Sequence, residues 1–137
     1  LTELNNDVFV VDIDQNSKRY YEQIDGVLTN SFVDITYDEN NKIIDVKDYR
    51  KSLNQFSSIN NAFMNHSISR TISIDGTIYQ LDDELSRNIV YVSLNNVMTP
   101  VEIITASYIR NGLTIEETSC INLTTGQKLD YSEINSL

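Results

Sequence analysis

A chain of 137 residues is long enough for one domain with a buried core and short for two of ordinary size. Hydrophobic residues at 40% and charged residues at 22% fit a folded globular chain, and four Gly with one Pro exclude collagen-like and linker-like readings. Ten Lys plus Arg against twenty Asp plus Glu, a formal net charge of -10, exclude a surface that neutralises many phosphates.

Residues through Asp7 read as an arm. Val8 to Asp14 is a short apolar, β-branched run bounded by Asn and Asp, the pattern of a buried strand. Gln15 to Lys18 make a turn. Tyr20–Ile24 and Val27–Tyr37 then flank Asp25-Gly26, a dipeptide whose easy positive φ favours a two-residue hairpin. The polar patch Asp38 to Asn41 turns the chain again, and Lys42 to Val46 returns as a strand. From Asp45 to Asn65 the period changes. Tyr49, Leu53, Phe56, Ile59 and Phe63 recur at spacings of four, three, three and four, which predicts one amphipathic helix capped by Asp45 or Asp48. Arg50, Lys51, Asn54, Ser57, Ser58 and Asn61 would face solvent.

After His66 the period returns to two. Ile68, Ile72 and Ile74 alternate with Ser and Thr before Asp75-Gly76, and a two-residue turn there would pair Ile74 with Thr77 and Ile72 with Tyr79. Asp82, Asp83 and Glu84 close this hairpin, and a new strand begins at Ile89 and ends at Leu94 before Asn95-Asn96. Pro100 cannot donate to a ladder, so the strand from Val101 should start at an edge or just after the proline. Asn111-Gly112 makes a third two-residue turn, placing Ala106 and Tyr108 on the face of Leu113 and Ile115.

The tail reads as a strand over Ile121 to Leu123, a tight turn at Thr124-Thr125-Gly126, and a short helix within Lys128 to Ile134 capped near Asp130 or Ser132. Thr71 to Leu85 and Ser119 to Ile134 share a strand, a Gly turn and Leu-Asp ahead of an acidic and an aliphatic residue, the pattern of a degenerate repeat or of two copies of a common hairpin. Asn122, Leu123, Thr125, Gly126, Gln127 and Lys128 also make the stretch 101–134 resemble extracellular sensor domains of lysozyme-responsive anti-sigma factors and related cell-wall enzyme accessory domains. The first hundred residues do not share that pattern. The resemblance implies an extracellular sensor that binds a basic protein or a glycan.

Motifs for chemistry are sparse. Cys120 is the sole cysteine, so no intrachain disulfide or Cys-rich zinc site can be built, and its place in Thr118-Ser119-Cys120-Ile121 suits a small core residue. His66 is the sole histidine and is read as a cap on the last carbonyls of the expected helix. There is no Gly-x-Ser-x-Gly elbow, phosphate-cradling Gly-Lys-Ser/Thr loop or dinucleotide Gly pattern. Asp12, Asp14 and Asn16 match the first ligands of a calcium loop, but Ser17 replaces the required Gly and Gln23 the closing Glu, with Glu22 one position early. Asp82, Asp83 and Glu84 offer oxygen ligands and equally a solvated face. Eight Tyr, with no Trp and four Phe, could form a binding face or stand half-buried in strands.

The sequence thus predicts a single α+β domain over 1–137: one antiparallel sheet of about six to eight strands built from hairpins, with the helix of about 45–65 packed on one face. No catalytic, cofactor-binding or metal residue is assigned and no cofactor is expected. The expected function is a non-enzymatic protein-interaction or assembly domain acting through sheet edges, hairpin tips and acidic loops, with a protein partner, basic by charge. Its Asn, Ile and Asp bias suits a bacterial surface or phage-derived protein, extracellular or cell-surface. A carboxylate-dependent hydrolase and the sensor domain are the alternatives. No apolar run is long enough to span a bilayer, and no leader pattern opens the sequence.

Overall fold

The structure, a computed structural model, describes residues 8–134. Its strands are β1 (Val8–Asp12), β2 (Ser17–Ile24), β3 (Val27–Tyr37), β4 (Ile43–Asp48), β5 (Thr71–Ile74), β6 (Thr77–Leu94), β7 (Val97–Arg110), β8 (Leu113–Asn122) and β9 (Lys128–Leu129). A single 3-10 turn at Asn61–Phe63 and a four-residue helix α1 (Tyr131–Ile134) complete the described elements. The expected arm, residues 1–7, lies outside the described residues.

This overturns the α+β expectation. Among the described residues strands hold 62% and helical residues 6%, and no helix reaches seven residues. The segment expected as a helix divides instead into β4, an extended stretch and the 3-10 turn. Its Ser and Asn side chains bind nearby backbone, which competes with helical hydrogen bonds: Ser52 Oγ accepts from Asn54 N (3.3 Å) and Asn60 Oδ1 from Ala62 N (3.0 Å). Its apolar residues dock in separate places. Tyr49 packs on Phe32 with centroids 5.2 Å apart, Leu53 joins Ile24, Tyr91 and Met98, and Phe56 bridges to Met98.

The strands form a nine-stranded mixed sheet in the order β1-β2-β3-β6-β7-β8-β9, with β4 on β3 and β5 on β6. Four two-residue turns set its hairpins. Asp25-Gly26, Asp75-Gly76, Asn95-Asn96 and Asn111-Gly112 all have positive φ at both residues, the type I′ signature that matches strand twist. The Asp75-Gly76 hairpin pairs Ile74 with Thr77 and Ile72 with Tyr79, as its sequence predicts. Two boundaries differ. β6 runs unbroken through Asp82-Asp83-Glu84, and Pro100 lies inside β7, buried. The proline is tolerated because it lies one residue beyond the last β7–β8 pair, Val101 with Asn122, and its carbonyl still accepts from Leu123 N at 2.9 Å.

The chain groups into two compact units. The first, residues 8–57 and 90–99, holds the antiparallel meander β1 to β4, and β3 meets β6 in parallel at Thr29 and Tyr91. Phe32 and Val33 are buried on opposite faces of β3; each such side chain stabilises by roughly 1.5–3 kcal/mol on burial. Arg19 covers the Phe32 ring at 4.0 Å while forking onto Asp34 at 2.8 and 3.0 Å, which raises the guanidinium pKa further. The second unit, residues 58–89 and 100–134, is built on β5 to β9, with Val101, Ile104, Tyr108, Cys120 and Leu123 buried.

Candidate functional site

The second unit carries a cleft whose chemistry is set by strand alternation. On β7, Glu102, Ile104 and Ala106 point to one face and stand opposite Ile121, Ser119 and Glu117 of β8. Lys128 of β9 pairs with Ile121, so it rises on the face of Ser119. The segment 65–69 is tied across this face. Asn65 (φ 56) turns its N–H onto Glu102 Oε2 at 2.9 Å, His66 N reaches Oε1 at 3.3 Å, and the Tyr108 hydroxyl donates to Ser69 O at 2.8 Å.

Glu102 is only 2% exposed, and a buried carboxylate is tolerable only when its lone pairs are met. Here His66 Nδ1 meets Oε1 at 2.7 Å, and Arg87 Nη1 stands 3.5 Å from the same oxygen while donating to His66 O at 3.1 Å. A carboxylate at Nδ1 favours the ring form with its proton there, leaving Nε2 as the acceptor. Nε2 lies 3.3 Å from Ser119 Oγ. The result is a hydroxyl, an imidazole and a buried carboxylate in series, the arrangement of an activated nucleophile, its base and the base's orienter. Ser119 and His66, with Glu102 buried behind the ring, line a cleft of about 320 Å³ together with Ile72, Ile104, Tyr108 and Lys128.

A second feature lies in the first unit, at the outer edge of β1, which no other strand covers among the described residues. Phe9 pairs with Tyr21, Tyr21 with Phe32, and Tyr49 packs on Phe32, so one aromatic row crosses the meander and ends at Phe9, 48% exposed. Val10 and Val11 are exposed beside it. This corrects the expectation of a buried first strand. Ile13 N donates to Ser17 O, which fixes the phase: Phe9 and Val11 direct their backbone groups to β2, whereas Val8, Val10 and Asp12 direct theirs outward. β4 is also fully exposed, but Asp45, Lys47 and Asp48 interrupt its apolar residues.

The residues noted in the sequence are dispersed. His66 caps no helix. Asp14 Oδ1 accepts from Asn16 N at 2.8 Å within a turn, and Asp82 and Glu84 alternate with Asp83 across β6, so neither acidic set converges. Among the described residues no group of three His, Cys, Asp or Glu could hold a metal. Cys120 is fully buried, and that burial pushes its thiol pKa up, aided by the charge of Asp130. The tyrosines share no single face: Tyr20 and Tyr37 join hydroxyls at 2.5 Å, Tyr91 and Tyr108 are buried, and Tyr131 is exposed. Asn122 to Lys128 form a turn in which Asn122 Oδ1 accepts from Thr124 N and Thr125 N, and Asp130 Oδ1 accepts from Ser132 N at the start of α1.

Comparison with protein-family models, with curated proteins and with solved structures gives no match. Among the described residues no helix is long and apolar enough to cross a membrane. The Ser119–His66–Glu102 series was missed because its members are far apart in sequence, yet one signal existed. Glu102 shares the alternation phase of Ile104, Ala106 and Tyr108, so an acid was headed for a buried face in a chain with one histidine.

Proposed function

We propose that the chain is a protein-interaction domain that adds an extended segment of a basic partner to the open edge of β1. The observation that carries this reading is the aromatic row Phe9–Tyr21–Phe32–Tyr49, which stops at an exposed strand without a single charge from Val8 to Val11. Edge strands of this kind are ordinarily blunted by Lys, Pro or a bulge; one left open offers backbone hydrogen bonds for affinity and alternate side chains for specificity. The partner is basic because the chain carries -10, Asp12 ends the strand and Asp14 follows in the turn. The same net charge disfavours a second copy of the chain in that position.

The test is an NMR titration with a nine-residue peptide of alternating Thr and Val or Phe flanked by Lys. The amides of Val10 and Asp12 should shift and gain exchange protection, and salt should weaken binding. Val10→Pro removes an outward N–H without touching the β2 ladder and should abolish the effect. Shifts that spare β1, or that persist in Val10→Pro, would overturn the reading.

A further inference from the structure

The second unit holds chemistry that strand addition does not use, and we infer that Ser119 is the nucleophile of an acyl-transfer site that hydrolyses small carboxylic esters. Glu102 has a structural task, holding Asn65 and His66 over β7. That task does not call for the outer ring nitrogen of His66 to meet a hydroxyl at the wall of an open cleft, yet Nε2 lies 3.3 Å from Ser119 Oγ and both residues line it. A base within reach of the hydroxyl, oriented from behind by a carboxylate at 2.7 Å, is the geometry that nucleophilic catalysis requires.

In the first half-reaction Ser119 Oγ bonds to the ester carbonyl carbon as His66 Nε2 takes the hydroxyl proton. The carbonyl π pair moves to oxygen, and Lys128, lining the same cleft, supplies the positive charge toward it. The intermediate collapses by breaking the bond to the leaving oxygen, which departs with the proton held on His66. Water then repeats the sequence on the acyl-serine: His66 accepts a water proton, hydroxide adds to the carbonyl, and Ser119 leaves with that proton returned. One ester and one water give one acid and one alcohol. Ser119 and His66 are the catalytic residues; Glu102 is a positioning residue, fixing the ring and countering its charge when protonated. The cleft volume of about 320 Å³, near the lower end for small-molecule sites, sets the substrate class as short acyl esters, with Ile72, Ile104 and Tyr108 lining the site beside the polar Ser67, Ser69 and Glu117.

The full chain would be incubated with p-nitrophenyl acetate and, separately, with a fluorophosphonate, and the adduct mapped by mass spectrometry. Expected are p-nitrophenolate release and a single phosphonyl adduct on Ser119. Ser119→Ala, small and in a partly exposed position, should keep the melting temperature and lose both; Ser119→Cys should restore acylation. His66→Gln should slow labelling on the order of 10²-fold or more. Glu102→Gln, which with its oxygen at the Oε1 position keeps the acceptor of His66 N and Nδ1 and gives up that of Asn65 N, should lower kcat with KM unchanged, a split that a merely structural carboxylate would not produce. No adduct on Ser119, equal ester cleavage by Ser119→Ala, or labelling at the same rate in His66→Gln would overturn the inference.

Discussion

Gly126 lies directly beneath the ring of Phe63: a Cβ at that position would sit 2.6 Å from Phe63 Cε1 and 2.9 Å from Cδ1 and Cζ. Gly76, at nearly the same φ (+78 against +79), has nothing within 4 Å. The pair separates backbone strain from crowding. Gly76→Ala should cost about 1–2 kcal/mol, the penalty of the left-handed region alone. Gly126→Ala adds overpacking of roughly 1–3 kcal/mol. Denaturant melts measure the difference, and Phe63→Leu should relieve it; equal costs at the two glycines would remove Phe63 from the account.

The Tyr20–Tyr37 contact gives a pH dependence. Burial first, then the hydrogen bond with Tyr20, pushes the Tyr37 phenol up to about 12 from its ordinary value of 10.0. The folded pKa is raised, so the associated stability is fully present below pH 10 and is lost as pH rises from 10 toward 12. Ultraviolet titration should show Tyr37, along with buried Tyr91, ionising after the exposed tyrosines, and Tyr20→Phe should bring the Tyr37 step alone down.

Cys120 should be silent toward a thiol reagent such as DTNB in the native state. It is fully buried, and a thiol whose pKa is raised by desolvation is seldom the reactive thiolate. The expected rate follows global or local opening, accelerating sharply with denaturant. Prompt reaction in buffer would contradict the burial of β8 at this point.

Glu102→Ala should be among the more damaging single changes in the second unit. It strands the Asn65 and His66 amides, each worth roughly 1–3 kcal/mol when a buried donor loses its acceptor. Loss of exchange protection at those two amides should accompany the drop in stability, while the β1–β2 amides stay unchanged.

The turns were legible in the sequence because their physics is local. Asp-Gly and Asn-Gly supply positive φ at both central positions, and at Asp75-Gly76 that alone placed Ile72 opposite Tyr79. The stretch from Tyr49 to Phe63 was not. Its helical spacing arises from side chains that dock on unrelated sites, Phe32, the Ile24–Tyr91–Met98 cluster and Gly126, and periodicity cannot separate that from a helix face. The acid run 82–84 suits a loop by its three carboxylates; in an extended strand they simply stand on alternate sides. Of the cleft, the burial phase of Glu102 was readable. Its meeting with His66 and Ser119 depends on long-range registers that no local rule contains.

The parallel contacts of the first unit, Thr29 with Tyr91 and Phe56 with Met98, govern how that unit comes together in time. The hairpins around Asp25-Gly26 and Asp38 to Asn41 close over a few residues and can form on the microsecond scale, whereas the parallel pair must first close a loop spanning much of the chain. The nascent meander therefore waits with β3 bare at Thr29. During that interval the uncovered β3 backbone is a hazard: crowded chains can pair there before Tyr91 arrives, so refolding yield should fall with protein concentration more steeply than native stability alone accounts for.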